Sequence, residues 1–173
     1  MMATFISRCA MIIQALCSEI FIMKRGIVWI MAYQLGPSGG TGGEPFSDSP
    51  GTINQIIVHH GAYVDGIEIG WSDGTTSKHG EGGGPNIDAF VLNPGEHLTA
   101  IDGTIGNLPE DGGPYVVSIR FVVSTGNTVR QSAILGADYG TSAFQYTAPP
   151  NASIVGFFGR SGKYLDAIGV LLQ

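Results

Sequence analysis

Cysteine is absent beyond residue 17: Cys9 and Cys17 are the only two, so the rest of the chain can form no internal disulfide. Such a chain must hold its fold by packing and hydrogen bonds, and it suits a reducing compartment. Charge is also scarce, at 13% of 173 residues, and leans negative, with a formal net charge of -6. Setting aside residues 1–31, which carry Arg8, Lys24, Arg25 and Glu19, leaves five basic residues against thirteen acidic ones. A surface of that sign repels phosphate backbones, which makes nucleic acid a poor partner. Helix-forming runs of Ala, Leu, Glu and Lys are missing, and no segment sustains a 3.6-residue apolar period, so a helical domain is not expected. No uncharged apolar run approaches the roughly 18 residues of a spanning helix, and stable membrane insertion is not expected either.

Glycine, by contrast, is plentiful: 27 residues with no triplet period point to a turn-rich β protein. From residue 32 onward short β-branched or aromatic runs alternate with clusters of Gly, Pro, Asn and Asp, the pattern of many short antiparallel strands joined by turns. Strands are predicted over 53–58, 66–71, 89–92, 97–104, 115–123, 128–134, 153–158 and 167–172, with a strand-like start at Tyr33-Gln34-Leu35. Residues 1–31 are rich in Met, Ile and Cys and poor in Gly, and are expected to be an extension to a single domain of residues 32–173. Three readings of them stay open: a dispensable, disordered extension, a signal peptide, or an amphipathic helix at a membrane surface. For the signal peptide, Arg8 supplies the positive region and residues 9–17 the apolar stretch, but no small-x-small cleavage site follows. A cytoplasmic chain is expected, with secretion the alternative if residues 1–31 are a signal; only then is Asn151-Ala152-Ser153 a glycosylation sequon.

Self-similarity is the most informative feature. Residues 53–69 and 154–170 align without a gap at an offset of 101, and Ile53, Gly61, Tyr63, Asp65 and Ile67 coincide with Ile154, Gly162, Tyr164, Asp166 and Ile168. Each copy reads as strand, tight loop, strand. Two glycine clusters, Gly36-Pro-Ser-Gly-Gly-Thr-Gly-Gly43 and Gly80-Glu-Gly-Gly-Gly84, form a second repeated feature. A third, degraded unit is expected, with Val117–Val123 as its incoming strand, Ser124–Thr128 as its turn and Gly136-Ala-Asp-Tyr-Gly140 as its glycine loop. The reading is therefore three units with two equipped sites.

From about residue 33 to the C-terminus these motifs resemble the jacalin-related lectins, and within them the mannose-binding branch. The resemblance implies an all-β fold, a β-prism I of three four-stranded antiparallel Greek-key sheets with pseudo-threefold symmetry, and sugar sites in loops at one end. It further implies that the two residues after the motif glycine and the aspartate contact one sugar, while the last glycine of a neighbouring glycine-rich loop donates from the other side. Carried onto matching positions, the first site is Gly162, Lys163, Tyr164 and Asp166 with Gly43, and the second is Gly61, Ala62, Tyr63 and Asp65 with Gly84. The second glycine loop departs from the family pattern, with Glu81 where a glycine is common, so Gly84 is the member a structure must place. Galactose-binding members are said to use a free amino terminus beside the sugar; Gly43 lies within an uninterrupted loop, which favours mannose or glucose.

These residue types suit a hexose. An ionised carboxylate accepts at two oxygens, and consecutive amides of a tight loop donate like a small nest. Glycine lets the main chain approach a sugar ring without a Cβ clash. Tyr63 and Tyr164 are expected either to border the sugar with a ring face or to serve only as walls. A homodimer or higher homo-oligomer is expected to add avidity on mannose- or glucose-containing glycans. No catalytic residue, cofactor or metal is expected: His59, His60, His79 and His97 lack ligand spacing and are read as packing or solvent residues. Two rival classes stay open: a protein-interaction module with vestigial sugar sites, and a polysaccharide hydrolase using Asp65 and Asp166, which belong to separate loops rather than to one carboxylate pair.

Overall fold

The computed structural model describes residues 33–107 and 113–173, and the expected extension of residues 1–31, with both cysteines, lies outside them. Thirteen strands make up the described chain. Sheet I contains β3 (Ile53–His60), β4 (Val64–Trp71), β5 (Thr76–Gly80) and β6 (Asn86–Val91) in the order β5-β4-β3-β6. Sheet II contains β7 (His97–Gly106), β8 (Tyr115–Thr125), β10 (Leu135–Gly136) and β11 (Ser142–Thr147) in the order β10-β8-β7-β11, with β9 (Thr128–Gln131) paired to β8 off that path. Sheet III contains β1 (Tyr33–Gly39), β2 (Glu44–Ser47), β12 (Ile154–Ser161) and β13 (Leu165–Leu172) in the order β1-β13-β12-β2. All pairings are antiparallel. Each sheet is one Greek key: a central hairpin, a third strand beside its outgoing arm and a fourth returning to its incoming arm. The first and last strands of the described residues supply sheet III jointly, so β1 and β2 complete the hairpin of β12 and β13. The expected prism of three antiparallel sheets is what the chain forms, with sheet II carrying a fifth strand.

Strand positions follow from the repeat. Adding 101 to the bounds of β3 and β4 gives those of β12 and β13, and both hairpins carry bulges at the same places, between Ile53 and Gln55 or Ile154 and Gly156, and again one residue before the hairpin loop. A bulge inserts one residue and re-aims those after it. That is why Ile53 and Ile56 are both buried although three apart, and likewise Ile154 and Phe157. The inward side chains meet in one core that includes Ile56, Ile69, Ile101, Phe121, Phe157 and Ile168. Burial of each such side chain contributes about 1.5–3 kcal/mol, so the core can stand without disulfides. Strands β2, β5 and β11 carry little sequence signal, because each is a short edge strand and only Phe46, Phe144 and Tyr146 among their side chains pack on the core.

The third unit is arranged differently from expectation. Its incoming strand is β7 and its outgoing strand is β8, so Val117–Val123 belongs to the outgoing arm. Ser124–Thr128 is the tight β8–β9 turn, where Thr125 pairs with Thr128 across Gly126 and Asn127, and lies at the other end of β8 from the repeated loop. The loop equivalent to Gly61–Tyr63 joins β7 to β8. Ile105 pairs with Val116 where His60 pairs with Val64, so this loop is seven residues longer than its counterpart.

Sheets I and III are pinned together by Asp48, whose side chain is 1% exposed. Its carboxylate accepts from Ser77 Oγ at 2.9 Å, His79 Nε2 at 2.8 Å and the Phe157 N–H at 3.0 Å. Phe46 stacks on the His79 ring with centroids 3.8 Å apart. Removing one partner of such a buried network leaves the others desolvated and unpaired, so Asp48→Ala is expected to cost about 3–5 kcal/mol, whereas Ile87→Ser, at a position 64% exposed, should change stability by less than about 0.5 kcal/mol. Urea unfolding of both variants checks this; equal costs would show that Asp48 pins nothing.

Candidate functional site

The three hairpins end together, and there each outgoing strand is met by the glycine loop of its own sheet. At this lip Gly39, Gly80 and Gly136 have φ of +134°, +89° and +109°, and a Cβ on them would lie 2.1, 2.3 and 2.1 Å from the carbonyl oxygens of Asp166, Asp65 and Val117. Only glycine permits that approach. The next loop amides confirm the equivalence, with Gly40, Gly82 and Ala137 N–H groups donating to the same three carbonyls at 2.8, 3.4 and 3.1 Å. Gly113-Pro114-Tyr115-Val116-Val117 is thus the third copy of Gly-x-Tyr-x-Asp, with valine where the others have aspartate.

In the first cup the Asp166 carboxylate faces the glycine loop. A Cβ on Gly42 would lie 2.3 Å from Oδ1, and one on Gly43 would lie 2.6 Å from Oδ2 and 2.4 Å from the Ser161 carbonyl carbon. Arg160 braces that loop from outside, with Nε donating to the Gly42 carbonyl at 2.7 Å and Nη2 to the Gly43 carbonyl at 2.5 Å. In the second cup a Cβ on Gly84 would lie 2.5 Å from Asp65 Oδ2 and 2.7 Å from the backbone of His60. Gly84 therefore stands over Asp65 as Gly43 stands over Asp166, despite Glu81. The tight loops match as well: the Gly162 N–H donates to the Tyr164 carbonyl at 3.0 Å and the Gly61 N–H to the Tyr63 carbonyl at 2.8 Å. Lys163 and Ala62, between them, are exposed.

The tyrosine rings bear on the two roles expected of them. Tyr63, Tyr115 and Tyr164 pack against one another around the pseudo-threefold axis, with centroids 5.2, 5.0 and 5.0 Å apart. Tyr63 is 3% exposed, so its ring closes the end of the core and has no face to offer a ligand. What this position presents at the loop is its main chain. Lys163 lies with its ammonium 4.9 Å from the Tyr164 ring centroid. The histidines bond carboxylates: His59 to Glu68 at 3.0 Å, His60 to Asp88 at 2.8 Å and His79 to Asp48 at 2.8 Å. Among the described residues no cluster of three or more His, Cys, Asp or Glu is arranged to hold a metal. A trough of about 440 Å³ crosses sheet II, but its charges, Arg120 and Asp102, already pair at 3.0 Å, and its Ser118 and Thr104 hydroxyls bond at 2.8 Å.

Burial raises the pKa of both cup carboxylates. For Asp166 desolvation outweighs its own amide, Arg160 and the Gly162 amide; for Asp65 it outweighs His60, its own amide, His59 and Lys163. Each cup thus holds a carboxylate whose ionised form burial disfavours and nearby amides and cations stabilise only in part.

Residues 35–171 match the family model of the jacalin-like lectin domain. The chain is 36% identical over 146 residues to jacalin-related lectin 3 of Arabidopsis thaliana and 33% identical over 147 residues to a mannose/glucose-specific lectin of Parkia platycephala, each match covering 80% of this chain. It spans 23% and 31% of those relatives' own lengths. The structure of artocarpin, described as a lectin with mannose specificity, superposes with a TM-score of 0.73 at 27% identity, covering 84% of this chain and 99% of that one.

A carboxylate whose folded pKa is raised contributes stability that is present below its unfolded pKa and lost as pH rises through the folded one. Asp166→Asn and Asp65→Asn, which mimic the neutral acid, are therefore expected to be at least as stable as the parent at pH 7. That advantage should shrink as pH falls through the raised folded pKa of each aspartate and be gone below about pH 4, where unfolded aspartate is protonated too. Melting temperatures from pH 3 to pH 7 check the sign; a large loss of stability at pH 7 would mean that the carboxylates hold the fold together.

Proposed function

The chain belongs to the jacalin-like lectin family, and from that premise we propose that it binds mannose- or glucose-type hexoses, one in the cup of Asp166 and Gly43 and one in the cup of Asp65 and Gly84. The observation that carries this reading is the repeated pairing of a partly desolvated carboxylate with a glycine main chain that no Cβ screens. Hydroxyls on neighbouring ring carbons can donate to the two carboxylate oxygens, while amides at Lys163 and Tyr164, or Ala62 and Tyr63, donate to sugar oxygens. Hydrogen bonds to a charged acceptor contribute about 1.5–3 kcal/mol each, so inverting one hydroxyl forfeits enough to discriminate epimers.

The third hairpin binds no hexose in this reading, because Val117 offers no acceptor. Hydrolysis is disfavoured by the same geometry: Asp65 and Asp166 face separate glycine loops, Gly84 and Gly43, and do not flank one bond. The relative from Parkia platycephala, described as mannose/glucose-specific, supports the sugar class. A shallow cup of this kind is expected to hold a monosaccharide with a Kd on the order of 1 mM, equivalent to about 4 kcal/mol. Useful affinity then requires several cups on one glycan, through the two sites of a chain and through homo-oligomers.

Methyl α-mannoside, and not galactose, is expected to elute the protein from a mannan column. Asp166→Asn and Asp65→Asn should each remove one of two binding events seen by titration, and the double variant both. Full binding in both single variants would refute the assignment, and release of reducing sugar by the parent, lost on Asp166→Asn, would establish a hydrolase instead. Gly43→Ala should silence the first cup alone, because the new methyl collides with Asp166 Oδ2.

A further inference from the structure

The third unit has Val117 at the place of the cup aspartate, yet its glycine loop reaches across to the second cup. The Gly136 N–H donates to His60 Nδ1 at 3.1 Å, and His60 immediately precedes Gly61. Since Nδ1 accepts, Nε2 carries the proton and donates to Asp88 at 2.8 Å, so the ring is held from both sides. Three residues further on, the Tyr139 hydroxyl donates to the carbonyl oxygen of Ala62. The Tyr139 ring meets Tyr63 edge to face, with centroids 6.0 Å apart.

The Ala62 carbonyl and the Tyr63 N–H belong to one planar peptide group. Holding the oxygen sets the direction in which that N–H points, and a hydrogen bond accepted by the carbonyl polarises the group and strengthens the N–H as a donor. A residue that touches neither the sugar nor the carboxylate can therefore govern a binding amide. We propose that Tyr139 is a positioning residue of the second cup: its hydroxyl fixes and polarises the peptide whose N–H faces the hexose, so the third unit serves its neighbour's site. This rests on the reading of the cups as hexose sites. The glycine loop of the first cup is braced by another device, the Arg160 guanidinium on the Gly42 and Gly43 carbonyls. The two cups of one chain are thus tuned separately, and a change at Tyr139 acts on the second alone.

Tyr139→Phe removes the hydroxyl and keeps the ring. In the full chain, amide resonances of residues 61–63 report the second cup and those of residues 162–164 the first. Titration with methyl α-mannoside should show the second cup weakened about three- to tenfold, the effect of one net hydrogen bond, and the first unchanged. Without sugar, the Tyr63 amide proton resonance should move upfield as its peptide loses polarisation, while that of Tyr164 does not. An unshifted Tyr63 amide resonance, or equal weakening of both cups, would overturn the proposal. A Tyr139→Phe variant that behaves as the parent while Tyr139→Leu weakens the second cup would also overturn it, since ring packing would then suffice. If the Tyr63 amide resonance shifts selectively but neither cup of the parent takes up mannoside, the brace is upheld and the hexose reading falls.

Discussion

A backbone contact too close for any side chain organises this end of the molecule. At three equivalent points a glycine with positive φ is pressed against the carbonyl of the outgoing hairpin strand, at Gly39 on Asp166, Gly80 on Asp65 and Gly136 on Val117. The contact brings each glycine loop over the first residues of the outgoing strand. Whatever side chain occupies the strand position then lies beneath bare main chain. With aspartate there, the result is a carboxylate beside polar backbone; with valine, it is another piece of core. One backbone device thus yields two equipped cups and one blank one.

The cups are costly to the fold. Burial disfavours the ionised form of Asp65 and Asp166, and local amides and cations offset this only in part. A ligand bearing hydroxyl donors, as proposed for the cups, would give the ionised form further partners, so the group that favours binding would disfavour folding. The tyrosine trio lies between the hairpin ends: Tyr63, Tyr115 and Tyr164 pack against one another at the axis, with Tyr63 itself buried. Asp48, also buried, shows the contrasting solution, with its oxygens taken up by Ser77, His79 and the Phe157 amide.

Much of this could be read in the sequence because a gapless repeat transmits geometry. The offset of 101 carried the strand bounds of β3 and β4 onto β12 and β13, bulges included, and placed Asp65 and Asp166 in equivalent loops. What stayed hidden had physical causes. The third copy lacks the aspartate and lies at the end of a loop seven residues longer, so no spacing marks Gly113-Pro114-Tyr115, and the β8–β9 turn resembles a hairpin loop more closely. The inward turn of the Tyr63 ring depends on two other tyrosines distant in sequence. Arg160 and Tyr139 act on main-chain carbonyls across loops, which leaves no pattern of spacing to find.

The central claim is that the aspartate under each glycine loop is what makes a hexose cup, and the most direct test is a crystal structure of the full chain soaked in methyl α-mannoside. Two sugars should appear, their hydroxyls on the carboxylates of Asp166 and Asp65 beside Gly43 and Gly84, with nothing over Val117. Sugar bound at the Val117 hairpin or in the sheet II trough, with both aspartates untouched, would contradict the account.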